Sequence, residues 1–180
     1  MAAYVWSDDQ SEALAAPTGQ ADAGGTAHDV PGEGACNSCH QGSADVLLGV
    51  SALQLAHAGD GMTLDGLNGD GALSDAMAGP LDLPGDQTAQ DALGYLHANC
   101  GGCHNERNDW LPVRLWLNLD GLGTVEETST YATAVGVSSD LDEPLADTTA
   151  TELITAGDAD SSLLWIRMQR RGDSPGGAMP

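Results

Sequence analysis

Three segments of the chain place apolar residues at helical spacing. The pattern predicts a first helix over 43–58 and a second over 87–98. A final helix is expected to be capped by Asp160 or Ser161 and to reach Arg170. Between these segments lie stretches rich in Gly and Pro, which favour turns. The chain is therefore expected to be mainly α with extensive loops.

The remaining segments show weaker patterns. Residues 1–34 lack a sustained period, so we expect an extended or partly disordered arm there. Residues 110–117 are apolar and predict a strand or a buried loop, with Pro112 arguing against a central strand. The prolines that bound 80–84 stop regular structure and predict a boundary between two halves of the chain.

The acidic composition excludes one class of function. The formal charge is −22, from 5 basic and 27 acidic residues. A nucleic-acid backbone would be repelled, and an anionic membrane surface is disfavoured for the same reason.

No segment approaches the roughly 18 apolar residues of a membrane span. Met1–Gly25 shows no signal peptide, so we expect any export signal to lie outside this sequence.

Apolar side chains can build only a modest core. They make up 41% of the sequence, and the aromatic residues are four Trp and three Tyr, with no Phe. A domain of this composition has room for another apolar group in its interior.

The four cysteines form two pairs, and a histidine directly follows each pair. The runs are Cys36-Asn-Ser-Cys39-His40 and Cys100-Gly-Gly-Cys103-His104. This is the attachment pattern of c-type haem. Two thiols on one helical turn can add to the two vinyl groups of a porphyrin, and the next residue presents an imidazole to the iron. The sequence therefore predicts two covalently bound haems, with His40 and His104 as proximal ligands.

Other uses of two such cysteine pairs stay open. A four-thiolate zinc site is one, although the 60 residues between the pairs exceed the usual spacing of about 15–20, and neither histidine would be needed. A thioredoxin-like redox pair is usually single and lies at a strand–helix junction. Disulfides between neighbouring cysteines can form in an exported chain.

Each iron needs a sixth ligand if the protein only transfers electrons. For the second haem we predict Met179, because its Gly-Ala-Met-Pro loop can present a thioether without regular structure around it. For the first haem we predict His57, which follows its motif by 17 residues beside glycines, with His28 as the alternative. Met62, Met77 and an open iron site are further candidates at the first haem.

Three other positions receive structural interpretations. His97 precedes Cys100 by three residues and is expected at the surface or beside a haem propionate, with a ligand to the other haem as the weaker alternative. Met168 lies on an apolar helix face and is expected in the core. Residues 65–71 resemble a calcium loop only loosely, because the carboxylate order and the closing glutamate of an EF-hand are missing. A solvated acidic turn is therefore favoured there, with calcium as the weaker alternative.

Longer runs around the two motifs resemble a known family. Residues 92–105 (Ala-Leu-Gly-Tyr-Leu-His-Ala-Asn-Cys-Gly-Gly-Cys-His-Asn), 156–168 and 178–180 are similar to the second haem domain of a group of bacterial multi-haem c-type cytochromes. Residues 30–31, the first haem motif and residues 48–55 are similar to the first half in the same group.

The resemblance implies a fold and a ligand. Two small cytochrome c-like haem domains would pack together, over 35–85 and 86–180, and Met179 would be the distal ligand of the second haem. Such domains continue past the Met-Pro pair into another helix, which this sequence lacks. We expect either a shortened product or a neighbouring chain that covers the helix face around Leu93 and Leu96.

The function implied is that of a di-haem c-type cytochrome, which carries single electrons and is not an enzyme. Its acidic surface would steer redox partners that have basic docking surfaces. Two alternatives are a subunit of a polymeric cytochrome filament and a haem enzyme, such as a peroxidase, with one open iron site. Thioether attachment takes place outside the cytoplasm, so we expect a periplasmic, cell-surface or extracellular protein.

The charge distribution generates a first test. No lysine or arginine precedes Arg107, so the first haem motif lies in an acidic half without an internal cation. Salt screens repulsion between exposed charges. We expect the melting temperature to rise with ionic strength in thermal scans, and a value that stays flat from low to high salt would refute this expectation.

Overall fold

A computed structural model describes residues 2–26, 28–40, 47–77, 81–108, 111–139 and 148–169, with the backbone alone for Ser38 and Cys39. Within these ranges the helices are α1 (Glu33–His40), α2 (Ala52–Leu55), α3 (Leu64–Gly69), α4 (Gln87–Asn99), α5 (Ser129–Ala134) and α6 (Leu163–Met168). Two 3-10 turns, Ala23–Gly25 and Leu119–Gly121, accompany them. In this part of the chain no helix has the length and apolar character needed to cross a bilayer.

The expectation of a mainly α fold built from two cytochrome c-like haem domains is wrong. Four of the helices in the described ranges have only four to six residues, and loops connect them. The cause is the density of helix-ending residues, since the chain contains 24 Gly and 8 Pro. Ser and Thr also recur as N-caps, which restart short helices rather than extend long ones.

The arm predicted over 1–34 contains a β-hairpin. Strand β1 (Tyr4–Trp6) pairs antiparallel with strand β2 (Ala13–Ala15). Tyr4 and Trp6 lie on one face of the hairpin, 58% and 64% exposed. These aromatic side chains therefore contribute little to the core.

The helix predicted over 43–58 is present only as α2. Its first residues lie outside the described ranges, and the chain at 47–51 is not helical. Gly49 has a φ of +79°, a left-handed conformation that glycine tolerates and that a helix does not contain. The Ser51 hydroxyl then accepts a hydrogen bond from the Gln54 amide at 3.3 Å and begins α2. The apolar spacing in this segment therefore reflects a bent loop followed by one helical turn.

Residues 65–71, expected as an acidic turn, lie largely in α3. The Thr63 hydroxyl caps this helix by accepting a hydrogen bond from the Gly66 amide at 3.0 Å. The side-chain amide of Asn68 donates to the Met77 carbonyl at 2.9 Å and accepts from the Met77 amide at 3.2 Å. The Asn68 side-chain oxygen is thus already hydrogen-bonded within the chain. The two hydrogen bonds to Met77 hold α3 against the segment that follows it.

The helix predicted over 87–98 is confirmed as α4. The Asp86 carboxylate caps it by accepting a hydrogen bond from the Ala89 amide at 3.0 Å. Leu93, Leu96 and His97 form its buried face. This helix ends directly before Cys100, as the sequence predicted.

The core lies where α4 meets the extended segment 113–117. Leu96, Val113, Leu115 and Ala134 form the buried cluster, and the last two are fully buried. Val113, Leu115 and Leu117 alternate with the half-buried residues between them, the periodicity of a strand without its sheet partners. Of the two predictions for 110–117, the buried loop is therefore confirmed for the described part.

The predicted final helix begins later than expected, at Leu163. Its N-cap residue Ser162 turns inward instead of capping the helix with its side chain. The Ser162 hydroxyl donates to the Asp158 carbonyl at 2.7 Å and accepts from the Thr155 amide at 2.9 Å. Residue 170 lies outside the described ranges.

Gly101 lies where the turn after α4 meets the extended segment. A Cβ added at Gly101 would lie 2.6 Å from the His97 carbonyl oxygen and 3.1 Å from the Trp116 Cα atom. The backbone would have to move, so we expect Gly101→Ala to lower the free energy of unfolding by about 1–3 kcal/mol in urea titrations.

The matched control is Gly69→Ala at the end of α3, where an added Cβ meets nothing within 4 Å. This variant should be neutral or slightly stabilising, because alanine restricts the unfolded chain more than glycine does. Equal losses of stability in the two variants would contradict the close approach at Gly101.

Candidate functional site

The second cysteine motif forms a tight turn at the end of α4. The Cys100 carbonyl accepts hydrogen bonds from the Cys103 amide at 3.1 Å and the His104 amide at 2.8 Å. The turn therefore brings the two cysteines and the histidine of the motif onto one helical turn. Asn105 holds the turn closed, because its side-chain amide donates to the Gly101 carbonyl at 3.1 Å and the Gly102 carbonyl at 2.7 Å.

The extended segment 113–117 covers His104. The His104 carbonyl accepts hydrogen bonds from the Leu115 amide at 2.8 Å and the Trp116 amide at 3.1 Å. The Nδ1 atom of His104 is buried and has no hydrogen-bond partner among the described residues. A buried ring nitrogen of this kind is a strong candidate ligand, since buried polar groups are normally satisfied.

Burial is the main cause that lowers the pKa of His104, because it penalises the charged imidazolium. The backbone of Val113 opposes this shift, and the positive charges of Arg114 and Arg167 add to it. The lowered pKa favours the neutral imidazole, the form in which a histidine binds a metal ion.

The two cysteines of the second motif differ in oxidation state. Cys100 is a free thiol, half-buried against the core cluster, and burial raises its pKa. Cys103 is half-buried and in a disulfide. A sulfur in a disulfide cannot also form a thioether, so haem attachment at this motif requires Cys103 in its reduced form.

The first motif lies on α1. Cys36 is a free, half-buried thiol whose sulfur lies 3.9 Å from the Pro31 carbonyl oxygen. His40 is half-buried at the end of the helix, and the side chain of Cys39 lies outside the description. Helical geometry places Cys36 and His40 one turn apart on the same face.

The predicted distal ligands are not assembled in the described part of the chain. His57 is exposed, and its Nδ1 atom accepts a hydrogen bond from the Gly59 amide at 3.0 Å. His28 is exposed, as is Met62, while Met77 is half-buried. Met179 lies outside the described ranges. The distal assignments at both predicted haems therefore stay predictions.

His97 is buried, so its interpretation as a surface residue is wrong. It is 2% exposed. Its Nδ1 atom accepts a hydrogen bond from the Leu117 amide at 3.0 Å, and its Nε2 atom lies 2.8 Å from the Ser51 hydroxyl oxygen. Its ring centroid is 4.4 Å from that of Trp116. The signal for burial was present, because position 97 continues the apolar face that Leu93 and Leu96 begin.

A cavity of about 520 Å³ opens beside His97. Leu48 and residues 50–53 form one wall, and residues 105–107 and 116–119 form the other. Gly102 brings the walls together, because a Cβ added there would lie 2.8 Å from the Leu48 side chain. The segment after the first motif therefore packs against the turn of the second, and the volume is within the range of ligand sites in proteins.

Among the described residues, no group of three or more His, Cys, Asp or Glu side chains is arranged to hold a metal ion. No protein-family model matches the chain, and no curated protein or solved structure is significantly similar to it. The candidate function is therefore inferred from the residues of this chain.

Burial also lowers the pKa of His97, so the folded state binds fewer protons there than the unfolded state. The unfolded histidine protonates as the pH falls below about 6.5, and the folded one does not follow until lower pH. We expect the free energy of unfolding to fall between about pH 7.5 and 5.5, and to fall less in His97→Asn, which has no titrating group at this position.

Tyr95→Phe is the matched control, since Tyr95 is exposed on the same helix. It should keep the wild-type pH profile in urea titrations. The charged side chains that line the cavity beside His97 are Glu106 and Arg107, and both are retained in all three proteins. Superimposable profiles for wild type and His97→Asn would show that His97 titrates alike in the folded and unfolded states.

Proposed function

We propose that this chain is a di-haem c-type cytochrome that transfers single electrons outside the cytoplasm. The observation that carries the proposal is the turn at 100–104, where the cysteines and histidine of a haem-attachment motif share one helical turn. The buried Nδ1 atom of His104, without a hydrogen bond among the described residues, supports the same reading. With Cys103 reduced, these residues fit a covalently bound haem.

In this proposal the cysteines of each motif hold one haem by thioether bonds. His40 and His104 are the proximal ligands, and Met179 and His57 are the distal ligands, with His28 as the alternative to His57. When bound, each haem supplies an iron that accepts and releases one electron. The chain binds the group, orients the imidazoles and limits the access of water.

The surroundings of His104 suit an electron-transfer site. The segment 113–117 shields it, and the hydrogen bonds to its carbonyl fix the backbone from which the imidazole projects. The structure around a redox group in such a site rearranges little when the group gains or loses an electron, because the surroundings are rigid and partly shielded from water. The charges of Arg114 and Arg167 act on the same imidazole and favour a reduced neighbour electrostatically.

The charge of the chain supports a particular kind of redox partner. A surface of net charge −22 attracts proteins with basic docking surfaces and accelerates their encounter at low salt. Export to the periplasm, the cell surface or the exterior follows from the chemistry of thioether attachment. The same acidic surface would keep the chain soluble among like-charged neighbours.

A haem enzyme is the second candidate function. The observation that favours it is the exposure of His57 and His28, with His57 bonded to the Gly59 amide. An iron at the first motif that lacks a distal side chain would bind small molecules. Rapid binding of cyanide to half of the ferric haem would favour this candidate over pure electron transfer.

The attachment chemistry can be tested by counting haems. The protein should be produced in a periplasm that contains a cytochrome c maturation system, and haem should be quantified from the alkaline pyridine spectrum. We expect two haems per wild-type chain, one in Cys36→Ala/Cys39→Ala and one in Cys100→Ala/Cys103→Ala. Loss of one motif should spare the other, because each pair of thiols holds its own porphyrin.

Zinc analysis of the same samples separates the alternatives. Chains with no haem and one bound zinc would replace the proposal with a thiolate metal site. Chains with neither group, and with all four cysteines in disulfides, would overturn it as well. Ser38→Ala is a control that changes a residue of the first motif other than its cysteines and histidine. This variant should keep two haems.

A further inference from the structure

His97 joins three parts of the chain through one imidazole. It projects from α4, its Nδ1 atom accepts from the Leu117 amide at 3.0 Å, and its Nε2 atom lies 2.8 Å from the Ser51 hydroxyl. An amide can only donate, so Nδ1 must be unprotonated. The neutral ring therefore carries its proton on Nε2 and donates it to Ser51.

The hydrogen bond to Leu117 lies next to the contacts that hold His104. Leu115 and Trp116 donate their amides to the His104 carbonyl, and Leu117, the next residue, donates its amide to His97. Three consecutive amides of one extended segment are thus bonded to the two histidines. Since α4 and the turn at 100–104 are continuous, this segment closes a ring of backbone and hydrogen bonds around the second motif.

The environment of His97 shows that the bond is protected from water. The side chain is 2% exposed, and the Trp116 ring lies at 4.4 Å between centroids with an interplanar angle of 47°. A buried amide that loses its acceptor keeps the full cost of its desolvation. Loss of the Nδ1 acceptor would therefore release the segment that carries Leu115 and Trp116.

We propose that His97 is a positioning residue for His104, acting through the acceptor at Nδ1. The proposal rests on the proposed haem function for its consequence at the iron, because His104 is the predicted proximal ligand. The hydrogen bonds and the burial of His97 belong to the chain itself. Ser51 has the secondary role, since it bonds the opposite side of the ring and fixes its tautomer.

Two amide substitutions separate the roles of the ring nitrogens. His97→Asn places an acceptor oxygen near the position of Nδ1, whereas His97→Gln places its amide nearer to Nε2. His97→Ala removes both, and Tyr95→Phe on the exposed face of α4 is the control. In the holoprotein, the midpoint potential and the absorption spectrum of the second haem report the environment of His104.

We expect His97→Asn and Tyr95→Phe to keep the wild-type potential and spectrum of the second haem. His97→Gln and His97→Ala should shift that potential and increase the fraction of the second haem that binds added cyanide. A role in packing alone predicts the reverse order, because Gln replaces more of the ring volume than Asn does. Equal effects of Asn and Gln, or wild-type behaviour in all variants, would overturn the proposal.

A readout that needs no haem keeps this proposal separate from the proposed function. Nitrogen-15 shifts of the histidine rings in the reduced, diamagnetic protein, or in the haem-free chain, should show His97 neutral with its proton on Nε2 at pH 6.5. Absence of haem together with this tautomer would refute the proposed function and retain the Leu117 bond. A proton on Nδ1 would refute the positioning role whatever the haem content.

Discussion

The amide hydrogens of Leu115 and Trp116 meet the carbonyl oxygen of His104 at 2.8 and 3.1 Å. The rest of the second half is arranged around this contact. A side chain at Gly101 would meet the His97 carbonyl oxygen and the Trp116 backbone, and Leu115 can be buried because its amide is already bonded. A short buried segment therefore replaces the sheet or helix layer that usually covers a site of this size.

The small apolar content of the chain limits what else can hold the molecule together. The described core is centred on Leu96, Val113, Leu115 and Ala134, and most helices outside α4 bury few residues. Two porphyrins would add apolar area without adding aromatic side chains, and would bring further negative charge through their propionates. Bound porphyrins would therefore supplement the modest core and add to the acidity of the chain.

The sequence predicted those features that depend on local chemistry. α4 follows from the Asp86 cap and the period of Leu93 and Leu96, and the turn at 100–104 follows from α4 running into the second motif. The prediction of a helix over 43–58 failed because Gly49 adopts a left-handed conformation and Ser51 caps a new helix after it. The spacing of apolar residues indicates which side chains are buried but not where the backbone turns. His97 was predicted at the surface because its side chain is polar, although its position continues the apolar face of α4, and its partners Ser51 and Leu117 are too distant in sequence to be foreseen. The mainly α fold failed because most of the described helices end after four to six residues, and apolar spacing does not show where a helix ends.

The ligands of the two proposed haem irons decide between an electron carrier and the other functions. Near-infrared magnetic circular dichroism of the ferric protein distinguishes methionine from histidine as the distal ligand and distinguishes low-spin from high-spin iron. The account predicts two low-spin haems, one with histidine and methionine ligands and one with two histidines. Two high-spin haems, or a protein with no haem signal after maturation in the periplasm, would contradict it.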